Sequence, residues 1–265
     1  MMRKQLAVVA LATIAAFGLA ASSQASVLFS DGFNYSPGAL SGNGSWVGGN
    51  AGMTVVNGDL TYAGLYDTGG NEMQLANGSA GSMYAQFANQ TSGQVWLSFL
   101  FDPTVVDSGN QYFIAMNPGT SSPNGSGDAI DAYYYDTGKI ELRANAGAAT
   151  AGTGTALAIG STNLIVEEID LTAKTASMWL NPGSATFADN SLTPTATASI
   201  SGITATAVDD VGFKAQSGTG TYLVDNLIVG QTWADVTPVI PEPSTYLLVG
   251  TGLAMMLGFI RRRRS

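Results

Sequence analysis

The chain has 265 residues, a formal net charge of −9, and neither cysteine nor histidine. Disulfides are therefore excluded, zinc, copper and haem lose their usual ligands, and catalytic triads built on His or Cys cannot form. Between residues 26 and 240 eighteen acids face only four bases, a net −14. That balance makes nucleic acid and anionic lipid poor partners, and multivalent cations or a cation-bridged polysaccharide better ones.

Arg3 and Lys4 precede an apolar run from Leu6 to Ala21, and Ser23-Gln24-Ala25 is a small-x-small site. The pattern reads as an export signal over residues 1–25, cleaved between Ala25 and Ser26. Residues 26–237 read as one all-β domain, because short runs of Val, Ile, Tyr, Phe, Trp and Thr alternate with Gly, Asn, Ser and Pro clusters. The clearest strand is Gln94 to Phe101, with Val95, Leu97, Phe99 and Phe101 on one face and Trp96, Ser98 and Leu100 on the other. Both faces are largely apolar, which predicts a central strand covered on each side.

Further strands are expected at Thr54–Val56, Leu60–Tyr62, Met83–Phe87, Tyr112–Met116, Ala132–Tyr135, Ile140–Ala144, Leu164–Leu171, Ala176–Leu180, Ala196–Ile200, Val211–Lys214 and Tyr222–Val229. Asp136-Thr137-Gly138-Lys139 and Thr172-Ala173-Lys174 are short enough to close hairpins, so the sheets should be antiparallel. Asn117–Asp128 and Ala144–Gly160 read as long loops.

Residues 238–244 read as a stiff linker holding Pro241-Glu242-Pro243, followed by a hydrophobic span at 245–260 and a basic cytoplasmic tail at 261–265. Arg261, Arg262, Arg263 and Arg264 are the kind of cluster that stays on the cytoplasmic side and halts export. Tyr246 to Ile260 is fifteen residues, fewer than the roughly 17–25 of a spanning helix. Gly250, Gly252 and Gly258 weaken that helix further, by about 1 kcal/mol each relative to Ala. Such a span suits a processed signal better than a permanent anchor.

This tail resembles the PEP-CTERM sorting signal of Gram-negative bacteria: a Pro-Glu-Pro tripeptide, a short hydrophobic span and a terminal basic cluster, in that order. The resemblance implies transient insertion in the inner membrane and recognition by an exosortase, a membrane-embedded cysteine transpeptidase. Cleavage near Pro241-Glu242-Pro243 would then deliver the protein to the cell surface or an exopolysaccharide matrix. Three further blocks resemble concanavalin A-like, laminin-G-like jelly rolls. They are Phe29 to Leu40, Met178 to Pro182, and Asp225 to Val236. The fold this implies is two antiparallel sheets packed as a sandwich.

Candidate chemistry is sparse. The same fold hosts glycoside hydrolases, which need two carboxylates about 5–9.5 Å apart. One laminarinase-like family sets them as Glu-x-Asp-x-x-Glu; here Glu168 and Asp170 fit, but Ala173 stands at the second Glu and Glu167 points to the other strand face. No catalytic residue is assigned and the chain is read as non-enzymatic. With oxygen the only ligand type left, calcium is the metal to consider, and Asp31 and Asp225 are its candidate ligands if the ends of the sandwich lie side by side. Backbone N–H groups would satisfy Asp225 as simply. Among the aromatics, Tyr133, Tyr134 and Tyr135 alternate faces, and Tyr134 is the residue singled out for contact with a sugar ring. The reading is an exported surface or matrix protein, with a lectin-like carbohydrate-binding module as the alternative and a degenerate glycosidase behind it.

Overall fold

Runs of alternating apolar residues bounded by Gly, Asn and Pro form strands, and in this chain they follow one another with little else between them. The computed structural model describes residues 27–240, apart from 50, 51, 68, 79, 110, 120–122 and 124–126. The export signal with Ala25 and Ser26, the tripeptide Pro241, Glu242 and Pro243, the hydrophobic span and Arg261 to Arg264 lie outside the described residues.

In chain order the strands are β1 (Phe29–Asp31), β2 (Gly38–Ala39), β3 (Val47–Gly48), β4 (Met53–Asn57), β5 (Asn71–Ala76), β6 (Gly81–Gln90), β7 (Gln94–Val105) and β8 (Gln111–Asn117). There follow β9 (Ile130–Tyr134), β10 (Lys139–Ala144), β11 (Ala149–Ala156), β12 (Asn163–Asp170), β13 (Thr175–Leu180), β14 (Ala198–Ser201), β15 (Val208–Ala215) and β16 (Thr221–Gly230). A single helical turn, α1 (Trp233–Val236), closes the domain. It begins with a capping box in which Thr232 and Asp235 satisfy each other's backbone N–H groups.

Two antiparallel sheets result. One has nine strands, ordered β14-β13-β12-β7-β16-β5-β4-β2 with β1 also paired to β16; the other has seven, ordered β11-β10-β9-β8-β15-β6-β3. This is the expected all-β jelly-roll sandwich. Its strand β7 behaves as its pattern requires: Val95, Leu97, Phe99 and Phe101 enter the core between the sheets. Trp96 and Leu100 instead join a second apolar cluster on the outer face of the nine-stranded sheet. There Trp96, Trp179 and Trp233 pack with ring centroids 5.1–5.8 Å apart. Fully burying one Phe or Leu contributes about 1.5–3 kcal/mol, so a strand apolar on both faces anchors both layers.

Three expectations are corrected. Leu60–Tyr62 is an irregular segment, not a strand; Leu60 is buried because it helps roof the second cluster. The expected loop after Ala144 contains β11, an edge strand of small residues paired to β10. Pro238 and Val239, read as the start of a linker, are tied to the body: Tyr66 N donates to Pro238 O at 2.7 Å and Leu65 bridges Val239.

Candidate functional site

The seven-stranded sheet turns Ile130, Ala132 and Tyr134 of β9 inward and Asp131 and Tyr133 outward. Tyr134 is fully buried, edge-on to Phe101 and Tyr222 with centroids 5.6 and 5.4 Å away. The expectation that Tyr134 meets a sugar is therefore wrong. Strand alternation puts it with Ile130 and Ala132, whose apolar character fixes that set as the core side. Its neighbours in sequence take the outer position instead.

On the outer face the antiparallel register sets Tyr112 of β8 opposite Tyr133, and Tyr133 opposite Glu141 of β10. Tyr112 and Tyr133 have centroids 6.4 Å apart, and Tyr133 and Tyr135 5.1 Å. All three are half-buried. The Arg143 guanidinium carbon lies 4.2 Å from the centre of the Tyr133 ring, a cation–π contact that holds the ring in place. Burial first, then a hydrogen bond with Glu141, push the Tyr135 phenol up to about 12, so it stays neutral at any physiological pH. Beside it lies a hollow of about 330 Å³ lined by Tyr135, Thr137, Lys139, Glu141 and Gly152. Its wall follows the β9–β10 hairpin, whose Gly138 has φ 77°, a left-handed conformation glycine adopts without strain.

Below this row sits Asp131, opposite Arg143 and almost wholly buried. Burial drives its pKa up to about 7; the Arg143 charge pulls it down, while Asp128 and Glu141 add to the rise. Towards β15 the same face is covered. A Cβ on Gly212 would come within 2.6 Å of Pro123, so Pro123 covers the sheet at that point. The open part of the face is the part carrying the tyrosines. Half-exposed tyrosine rings flanked by a carboxylate and a lysine are what stacking on a sugar and hydrogen bonding to its hydroxyls require.

Asp31 and Asp225 are near in the fold but not shared. Asp31 is paired in register with Leu227, whose side chain enters the main core. Its carboxylate accepts from Phe33 N at 2.7 Å, Tyr35 OH at 2.8 Å and Trp46 Nε1 at 2.6 Å. Asp225 lies on the opposite face, where it accepts from Leu60 N at 3.1 Å and Asn226 N at 2.7 Å. The two faces separate because β16 bulges between Asp225 and Ile228, with Asn226 at φ 49°, so Asp225 and Leu227 no longer share a side. Burial raises Asp225 to about 8; the two N–H groups oppose this and Asp67 and Asp59 add to it. A calcium ion held between Asp31 and Asp225 does not fit this arrangement. Among the described residues no group of three or more acids gathers as a metal site.

The hydrolase-like pair is also dispersed. Asp170 Oδ1 accepts from Thr172 N at 2.8 Å and Ala173 N at 2.7 Å, which shapes the β12–β13 turn. Glu168 is buried opposite Trp96 and Ser177, and burial followed by the Asp170 charge raises it to about 7, with Gln94 opposing. Glu167 points into the sandwich core opposite Leu97 and Met178. Neither of its oxygens has a hydrogen-bond partner, and burial, helped by Asp131, raises it to about 8.

Fold and sequence together define an exported β-sandwich protein with a membrane-sorting tail. Residues 239–264 match the PEP-CTERM protein-sorting motif. That motif marks proteins exported and transiently anchored in the membrane before processing, and it implies an exosortase as the processing partner. Comparison with curated proteins gives no match. Among solved structures the chain is similar to an alginate lyase, Aly36B, at 13% identity over 78% of this chain and 97% of that one, with a TM-score of 0.48. Lectin II from Ulex europaeus matches at 14% identity over 78% and 98%, TM-score 0.46. Lectin I-B4 from Griffonia simplicifolia matches at 13% over 77% and 99%, TM-score 0.45. A Trypanosoma rangeli sialidase matches at 10% identity and TM-score 0.40 over 70% of this chain, which spans only 28% of the sialidase.

Proposed function

We propose that this is a non-enzymatic surface or matrix protein that, once processed by an exosortase, holds extracellular polysaccharide on the outer face of its seven-stranded sheet. The observation that carries the reading is the row Tyr112, Tyr133 and Tyr135 beside the hollow bounded by Lys139 and Glu141. A sugar ring stacks on Tyr133 or Tyr135, and its hydroxyls meet Glu141 and Lys139. With eighteen acids against four bases the domain repels a polyanion, so a neutral polysaccharide suits it best. The non-enzymatic reading is supported by the turn-shaping use of Asp170 and by the burial of Glu167 in the core.

The test is affinity electrophoresis through gels containing exopolysaccharide purified from the producing cells, with laminarin as a defined neutral glucan. The wild-type protein is expected to be retarded in at least one, and the Tyr133→Ala, Tyr135→Ala double variant to run as in a blank gel with its melting temperature held. Free migration of the wild type in both gels would overturn the binding reading. Release of reducing ends, abolished in Glu168→Gln, would replace it with a hydrolase.

A further inference from the structure

Eight large apolar side chains are conspicuously exposed among the described residues, and four of them meet at one corner. They are Val27 at 46%, Tyr66 at 45%, Val239 at 42% and Ile240 at 58%. The corner is held together by backbone. Tyr66 N donates to Pro238 O, Leu65 bridges Val239, and Leu28 N donates to Val229 O at 2.8 Å. Val27, Tyr66, Ile228 and Pro238 line a hollow of about 290 Å³ between β1 and α1. The patch is thus built on the fixed frame of β16 rather than on a free end. Clustered exposed apolar groups mark contact surfaces, whereas single ones do not.

The chain beyond this corner limits what can cover it. Among the described residues Val239 is the last one paired to the body, and the apolar span of the sorting motif opens at Tyr246. Six residues, 240 to 245, lie between them. Fully extended at no more than about 3.6 Å each, they reach roughly 20 Å. While the tail is attached and inserted, the corner therefore stays within roughly 20 Å of the hydrocarbon, close enough to reach the headgroup layer. The opposite end of the sandwich does not. Val105, equally exposed at 47%, pairs with Thr221, whereas Trp96 pairs with Gly230 at the corner's end of β16. At about 3.3 Å per residue those two ends are roughly 30 Å apart.

We propose that Val27, Tyr66, Val239 and Ile240 form a docking surface for the lipid interface of the outer leaflet, occupied while the sorting tail is still in the membrane. A tyrosine ring with aliphatic neighbours is the composition that settles at the headgroup level. The tether supplies a high effective concentration, so a small patch suffices to set orientation without binding lipid when free. Asp31 and Asp235 line the same hollow, each held by hydrogen bonds within the domain, and Asp59 and Asp67 stand nearby, so the surface suits zwitterionic rather than anionic headgroups. Docked in this way, the sandwich stands with β1 and α1 towards the membrane and the Val105 end of β16 away from it.

Because the chain has no cysteine, single cysteines report position cleanly. Full-length protein carrying Ser30→Cys beside the hollow, or Val105→Cys at the far end, is labelled with a fluorophore and reconstituted into phosphatidylcholine vesicles containing headgroup-nitroxide lipid. Quenching at position 30 is expected to exceed that at position 105 several-fold. Adding Tyr66→Ser and Ile240→Ser, which leave the tether length unchanged, is expected to cut the quenching at position 30 by at least half. Equal quenching at the two positions, or no response to the double substitution, overturns the proposal. So does concentration-dependent shielding of position 30 in lipid-free detergent, which would assign the patch to a second copy of the chain.

Discussion

Tyr133, Tyr134 and Tyr135 are chemically identical and have different roles, because successive residues of a strand face opposite sides. Tyr134 takes the core position and pays for its hydroxyl, which is buried without a hydrogen-bond partner; burial, with a smaller contribution from Asp102, raises its pKa to about 12. Removing an unsatisfied buried hydroxyl costs little, since its desolvation, about 1–3 kcal/mol, is recovered. Tyr134→Phe is therefore expected to unfold in urea at the wild-type midpoint or above it, and to bind polysaccharide as the wild type does. A lower midpoint would mean that the hydroxyl has a partner after all. The correct outer residue was legible in the sequence. Ile130 and Ala132 share a parity with Tyr134, while Asp131 shares one with Tyr133, and a charged residue two positions away was the better guide to the open face. The contribution of Arg143 and Glu141 was not legible, because it depends on the register of β10 against β9.

At the scale of the element, long apolar strands could be read and short or small-residue strands could not. β7, β12 and β16 advertise themselves because burial on one or both faces demands large side chains. β11 has the sequence Ala-Thr-Ala-Gly-Thr-Gly-Thr-Ala, and as an exposed edge it needs backbone pairing to β10 more than apolar bulk. Composition alone makes such a strand look like a loop. The bulge in β16 was hidden for a related reason: its cause is one backbone angle, Asn226 at φ 49°, between two residues that otherwise alternate normally. Asn and Gly tolerate this left-handed conformation, while a β-branched residue is strained there. Asn226→Gly is expected to change stability by less than about 1 kcal/mol, and Asn226→Val to lower it by about 1–3 kcal/mol. Equal stability of the two variants in a denaturant titration would show that the bulge relaxes when its angle is disfavoured, and the separation of Asp31 from Asp225 would lose its explanation.

For the whole molecule the decisive property is how its acids are distributed. Several carboxyls sit in places that raise their pKa, chiefly by burial: Glu167 and Asp225 to about 8, Asp131 and Glu168 to about 7. In the unfolded chain the same groups lose their protons near pH 4. Between about pH 4 and 8 the folded state therefore holds more protons than the unfolded one, and stability falls as pH rises through that window. Above pH 8 these groups are ionised in both states and the slope vanishes. Asp107 runs the other way. Burial alone would raise it, but the N–H groups of Thr219 and Gly220, the Asn77 amide and Ser108 outweigh that and lower it, so its contribution is lost only on acidification below the ordinary carboxylate range. The net −14 reinforces the main trend, because every proton lost between pH 5 and 8 adds to self-repulsion in a domain with four bases. The melting temperature is thus expected to be higher at pH 5 than at pH 8. Glu167→Gln, neutral at every pH and similar in shape, should flatten part of that slope and gain most towards pH 8, where the native carboxylate begins to ionise inside the core. A melting temperature that rises from pH 5 to pH 8 would contradict burial as the controlling effect. A Glu167→Gln profile parallel to the wild type would place the titrating groups elsewhere, on Asp131, Glu168 and Asp225.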